Sequence, residues 1–154
     1  MKKLLIDFSA TKRFPEIDYN FKLSIRRAVT ETLRAEGFPY DAEVSVTLCD
    51  GEYIRALNKK YRGIDRETDV LSFPLYTPDE LTDGECAVVA TLGDIVINLD
   101  RAKIQAEEIG HPYLREVMFL TVHSTLHLLG YDHERSEEDD EEQCRRQREI
   151  MEKI

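Results

Sequence analysis

Three histidines within eleven residues, His123, His127 and His133, are the side chains of this chain best suited to chemistry. His123 and His127 stand four apart. On a helix that spacing puts both rings on one face, with Cβ atoms about 5–6 Å apart. Two imidazoles so placed can converge on a single zinc ion. Gly130 stops the helix and lets the chain reverse, so that His133 returns as a third ligand. His111 lies too far back for the same task, about 18 Å away along a helix axis, and is read as a cap. Three protein ligands leave a coordination position for water, the pattern of a catalytic site rather than a closed structural one. No cysteine lies in the segment to close it. One zinc per chain is expected, lowering the pKa of bound water toward ~7.

The next question is what such a site attacks. The spacing H-x3-H-x5-H matches zinc proteases with the motif H-E-x-x-H-x-x-G-x-x-H, and Gly130 falls on their glycine. Their general base follows the first histidine. Here that position is Ser124, which takes no proton at neutral pH, so peptide hydrolysis is disfavoured. Phosphodiester chemistry makes a different demand, a cation near the phosphoryl oxygens where charge gathers. Lys59-Lys60-Tyr61-Arg62-Gly63-Ile64-Asp65-Arg66 offers one. On spacing alone this basic segment is equally a solvated helix end whose charges offset the dipole.

These residues need elements to hold them. Leu4 to Phe8 reads as a first strand. Phe21, Ile25, Val29 and Leu33 recur every four residues and predict a helix over 18–36, stopped by Gly37. Val44, Val46 and Leu48 alternate with polar residues, a half-buried strand. Asp50 is the expected N-cap of a helix through Lys60, with Ile54, Leu57 and Tyr61 on one face. Residues 69–76 read as a strand that Pro74 confines to an edge, and 77–88 as a surface loop. A second apolar strand, 92–99, leads into a helix ending at Gly110. The histidine helix is predicted from His111-Pro112 to Leu129, with Leu114, Met118, Val122, Leu126 and Leu129 as its buried stripe. Ser136 caps a last helix, acidic at its start and basic at its end as the dipole favours. The expected fold is α+β, a single domain over 1–154. It has a small mixed sheet of about four strands covered by about five helices, with the metal site on a C-terminal helix.

Composition sets the outer bounds. The chain of 154 residues is 42% hydrophobic and 34% charged, as a globular protein is. No apolar stretch approaches the ~20 residues of a membrane span. The N-terminus has three apolar residues before Asp7, so a secretory signal is not expected and a cytoplasmic location is. Cys49, Cys86 and Cys144 are scattered and odd in number, which argues for a reducing compartment, with Cys49 in the core. The net charge of −10 counts against a nucleic-acid partner. However, the acidity is regional. Residues 134–142 hold seven acids and one base, whereas residues 1–36 hold eight bases and five acids. A neutral or basic face is therefore available.

Three segments resemble the YbeY family of single-strand-specific metallo-endoribonucleases. His123 to His133, HSTLHLLGYDH, is similar to the family's H-G-x-L-H-L-x-G-Y-D-H. Asn58 to Pro74, NKKYRGIDRETDVLSFP, resembles N-x-x-Y-R-x-x-D-x-x-T-D-V-L-S-F-P, and Leu92 to Ile97 gives a third match. The resemblance implies zinc on His123, His127 and His133, and Arg62 as the functional arginine of a cleft. It implies single-stranded RNA as substrate, maturation of small-subunit rRNA, ribosome quality control and contact with the ribosome, with no membrane partner. Zinc peptidase and non-enzymatic ribosome-associated zinc module are the rival readings. Asp132 and Asp69 are candidates to support a histidine ring, each equally readable as a cap or turn residue. Ser124 departs from the family's glycine, and its hydroxyl is expected either to bond a carbonyl one turn back or to narrow the cleft.

Overall fold

A computed structural model describes residues 3–76, 89–132 and 136–154. Among them are four strands and five helices, in the order β1 (Leu4–Ala10), α1 (Tyr19–Ala35), β2 (Asp41–Cys49), α2 (Gly51–Arg62), β3 (Val70–Pro74), β4 (Val89–Asn98), α3 (Leu99–Ile109), α4 (Tyr113–Leu128) and α5 (Glu137–Met151). The fold is α+β, as the order of apolar periods predicts. His133, Cys86 and the expected 77–88 loop lie outside the described residues.

The strands form one mixed sheet in the order β1-β2-β4-β3. β1, β2 and β4 run parallel, and β3 lies antiparallel to β4 on the edge, where Pro74 can end the ladder. Val44, Val46 and Leu48 of β2 and Ile95 and Ile97 of β4 share one face, which packs against α1 and α4. Cys49, Leu71 and Val96 lie on the other face with Ile54 of α2. The Cys49 thiol donates to the Ile97 carbonyl at 3.4 Å, and burial pushes its pKa up to about 12, so it is inert core.

Two local features explain motif residues near β3. The β2–β4 register shifts at Glu43/Val44, so that Leu92 is the extra residue of a bulge next to Gly93. Gly93 has φ +142, and a Cβ there would sit 2.2 Å from the Phe73 carbonyl oxygen. Only glycine lets the edge strand approach so closely. The loop between α2 and β3 is pinned from several sides. Asn98, fully buried, donates to the Thr68 carbonyl at 3.1 Å and to Glu67 Oε1 at 3.2 Å, while its own oxygen caps α3 at Arg101. Asn58 donates to the Arg66 carbonyl at 2.9 Å.

α4 is the hub of the molecule. It packs on the sheet, on α1, on α3 and on α5, and is buried on most of its circumference, including Glu116, Thr121, Ser124 and Thr125. The stripe read from the sequence is therefore too narrow. It is also misplaced at one end, because Leu114 is exposed in the first turn. Helix periodicity locates one apolar face, and a helix enclosed by four neighbours has more than one.

Candidate active site

The site forms where α4 passes the edge of the sheet. Val70 and Ser72 of β3 pair with Ile97 and Ile95, and so point to the face that α4 covers. Arg62 is the last residue of α2, directly before Gly63, whose φ of +70 turns the chain into the pinned loop. Arg62, Val70, Leu71, Ser72, His123, His127 and Asp132 line one cleft of about 120 Å³. The cleft thus gathers both helical histidines, the arginine and one of the two carboxylates singled out from the sequence. Among the described residues no group of three or more histidine, cysteine or acidic side chains forms a metal cluster, and the third histidine, His133, lies outside them.

The ring of His123 is held from α5. Its Nδ1 lies 2.5 Å from Gln147 Oε1 and 3.3 Å from Gln143 Nε2, and the shorter contact, to an oxygen that only accepts, assigns the proton to Nδ1. Nε2 is then the unprotonated nitrogen, the form a metal requires. Gln143 donates to the His123 backbone carbonyl at 3.3 Å. Both glutamines are buried, at 1% and 4% exposure. A buried amide oxygen that accepts from Nδ1 leaves Nε2 for a metal, so the residues present fit zinc.

The segment that leads to His133 is anchored as well. Tyr131 donates from its backbone N–H to the Leu126 carbonyl at 3.1 Å, and from its hydroxyl to Glu36 Oε1 at 2.6 Å. Arg146 of α5 pairs with the same Glu36 and donates to the Ala35 carbonyl at 3.0 Å. α1, α5 and the turn after α4 are therefore tied at one node beside Asp132.

Of the two readings of Asp69 the structure has the turn residue, and the expectations for His111 and Ser124 need correction. The Asp69 carboxylate accepts from the Val70 N–H at 2.8 Å and from Gln105 at 3.3 Å, which holds the loop before β3. His111 does not cap α4. Pro112, extended at ψ 145°, is the N-cap residue without a side-chain bond, and the His111 ring instead meets the buried Glu116 carboxylate at 2.6 Å. Ser124 neither lines the cleft nor bonds a carbonyl one turn back. It is fully buried, and its hydroxyl is without a hydrogen-bond partner among the described residues. The Ser124→Ala variant is accordingly expected to be more stable by about 1 kcal/mol, because it removes a buried unsatisfied hydroxyl. In a thermal melt this reads as a rise of about 2–4 °C for a chain of this size. An unchanged or lower midpoint would mean that the hydroxyl is satisfied in solution.

Comparison with known proteins agrees with the geometry. The family model described as Endoribonuclease YbeY matches residues 7–154. A protein named Endoribonuclease YbeY from Caldanaerobacter subterraneus subsp. tengcongensis is 54% identical over 117 residues, which cover 73% of this chain and 74% of that one. A protein of the same name from Bacillus cereus (strain B4264) is 44% identical over 154 residues, covering 97% and 95% of the two chains. The solution structure of TM1509 from Thermotoga maritima is similar with a TM-score of 0.62 at 27% identity, over 96% of this chain and 87% of that one. The chain belongs to the endoribonuclease YbeY family.

Proposed function

We propose that this protein is a zinc-dependent endoribonuclease that cuts single-stranded RNA, acting in small-subunit rRNA maturation and ribosome quality control in the cytoplasm. The observation that carries the reading is the meeting of His123, His127, Arg62 and Asp132 in one cleft. His123, His127 and His133 would hold the zinc. When bound there, the metal supplies a Lewis acid for a phosphoryl oxygen and lowers the pKa of water beside it. Arg62 orients the phosphate and offsets the charge that develops on its oxygens. Asp132 contributes a carboxylate that can accept a proton from the attacking group, water or the ribose 2′-OH. Gln147 keeps the His123 ring in its ligand orientation, and Gln143 holds the His123 backbone carbonyl.

The preference for single strands has support beside the cleft. Tyr61 is 59% exposed next to Arg62. Its ring is braced by Phe73 at 5.4 Å between centroids, with Lys60 Nζ at 5.1 Å. An aromatic face among cations is a platform on which an unpaired base stacks. The rRNA and ribosome roles rest on the resemblance of the histidine and Asn58–Pro74 segments. Among the described residues no helix is long and apolar enough to cross a membrane. The peptidase reading loses ground, because the position of the protease base is a buried serine facing away from the cleft lining.

The test is cleavage of a labelled RNA by the purified protein. Metal-dependent cutting of a single strand, lost on chelation and restored by zinc, with a duplex of the same sequence left intact, is the expected result. Casein digestion without RNA cleavage would restore the peptidase reading, and bound zinc with neither activity would favour the binding module.

A further inference from the structure

A second cavity, about 290 Å³, lies between the first turns of α4 and the last turns of α5. Its lining is His111, Arg115, Phe119, Arg148, Met151 and Glu152. Arg115 and Arg148 are both exposed, and neither enters an ion pair among the described residues. The neighbouring Arg146 is, by contrast, locked to Glu36 and Glu149. The end of the chain here is locally basic in an acidic protein, with Arg145, Arg146, Arg148 and Lys153 against Glu149 and Glu152. Phe119, half-buried, and Met151, 6% exposed, give the cavity an apolar side.

The position of the cavity matters as much as its lining. Arg115, Phe119, His123 and His127 are spaced by four and form a single ridge along α4. Arg115 lies about 12 Å from His123 along the helix axis. The ridge therefore leads from the cavity to the histidine cleft. We propose that the cavity is a remote subsite of the same nuclease, which takes a nucleotide of the RNA strand away from the bond being cut. The inference rests on the endoribonuclease reading. The two guanidinium groups suit a backbone phosphate, and the Phe119 ring suits a base. Glu152 can accept from a base amino group or a ribose hydroxyl, and it makes the site a poor one for a small polyanion.

Binding of labelled single-stranded RNA to the zinc-loaded full chain tests this, in the cold with strand integrity checked on a gel. One strand is about a dozen nucleotides long, and the other is a trinucleotide that reaches only the histidine cleft. In Arg115→Ala/Arg148→Ala the Kd for the long strand is expected to rise about tenfold or more. Its dependence of log K on log salt should shrink by roughly 0.7 for each phosphate that the variant no longer neutralises. The trinucleotide is expected to bind as before. Arg115→Lys/Arg148→Lys keeps the charges and should keep most of the salt dependence, and thermal melts of both variants check that the fold is intact. Equal weakening for both lengths, or no change for the long strand, would overturn the subsite while leaving the nuclease reading in place. Failure of the unmodified protein to bind either strand would overturn both.

Discussion

Arg62→Ala is expected to slow RNA cleavage by about 10²–10³-fold, the usual cost of removing one group aimed at developing transition-state charge. The zinc content of the variant should match that of the unmodified protein, because Arg62 belongs to α2 and His123 and His127 to α4. The fold should survive, since the side chain is exposed and outside the core. Measuring kcat and KM separately sharpens the result. A fall in kcat at nearly constant KM places the arginine on the transition state, and a rise in KM alone would reduce it to a ground-state phosphate contact. Arg62→Lys should recover part of the rate, since lysine keeps the charge and loses the fork that grips two phosphoryl oxygens. Loss of zinc from Arg62→Ala would sink the assigned role.

His127→Ala should abolish zinc binding, and cleavage with it, at any practical zinc concentration. The neighbouring change Gln147→Leu should do something different in kind. It leaves all three histidines in place and removes the acceptor that fixes the His123 tautomer, at 2.5 Å from Nδ1. Partners of this sort typically change metal affinity by 10–100-fold. Zinc titration of the two variants separates the roles: excess zinc restores cleavage in Gln147→Leu but not in His127→Ala. Full zinc occupancy in purified His127→Ala would remove that histidine from the ligand set. Affinity in Gln147→Leu equal to that of the unmodified protein would mean that packing alone orients the ring.

Much of this arrangement can be read from the chain before any coordinates. The alternation over 44–48, the caps Asp50 and Ser136, and the stops Gly37 and Gly110 act locally, and each sits where its pattern puts it. Sheet order is another matter. β4 inserts between β2 and β3 because Ile95 and Ile97 must cover α1 and α4, a demand made by partners distant in sequence. The helical histidines and Arg62 are legible as a site, whereas the residues that hold them are not. Gln143 and Gln147 leave only a trace: they are four apart in a helix otherwise built largely of charges, and a pair of uncharged amides on one face suggests a buried polar contact. Asn98, polar at the end of the apolar run Ile95-Val96-Ile97, leaves a similar one. Asp69 is undecided in the sequence because a carboxylate in a motif is equally able to bind its own backbone, and here it does.

With zinc bound as proposed, the bond from Gln147 to His123 would make α5 and the metal partners in one equilibrium. α5 meets the rest of the protein through few apolar side chains, chiefly Ile150 and Met151, and through the buried amides of Gln147 on the His123 ring and Gln143 on the His123 backbone carbonyl. Undocking of α5 releases the imidazole, so a fluctuation of that helix is also an excursion toward the weakly binding form of the site. By reciprocity, the free energy with which a docked α5 tightens zinc is the free energy with which zinc holds α5 down. Helix docking and metal affinity would then be two readings of one coupling free energy.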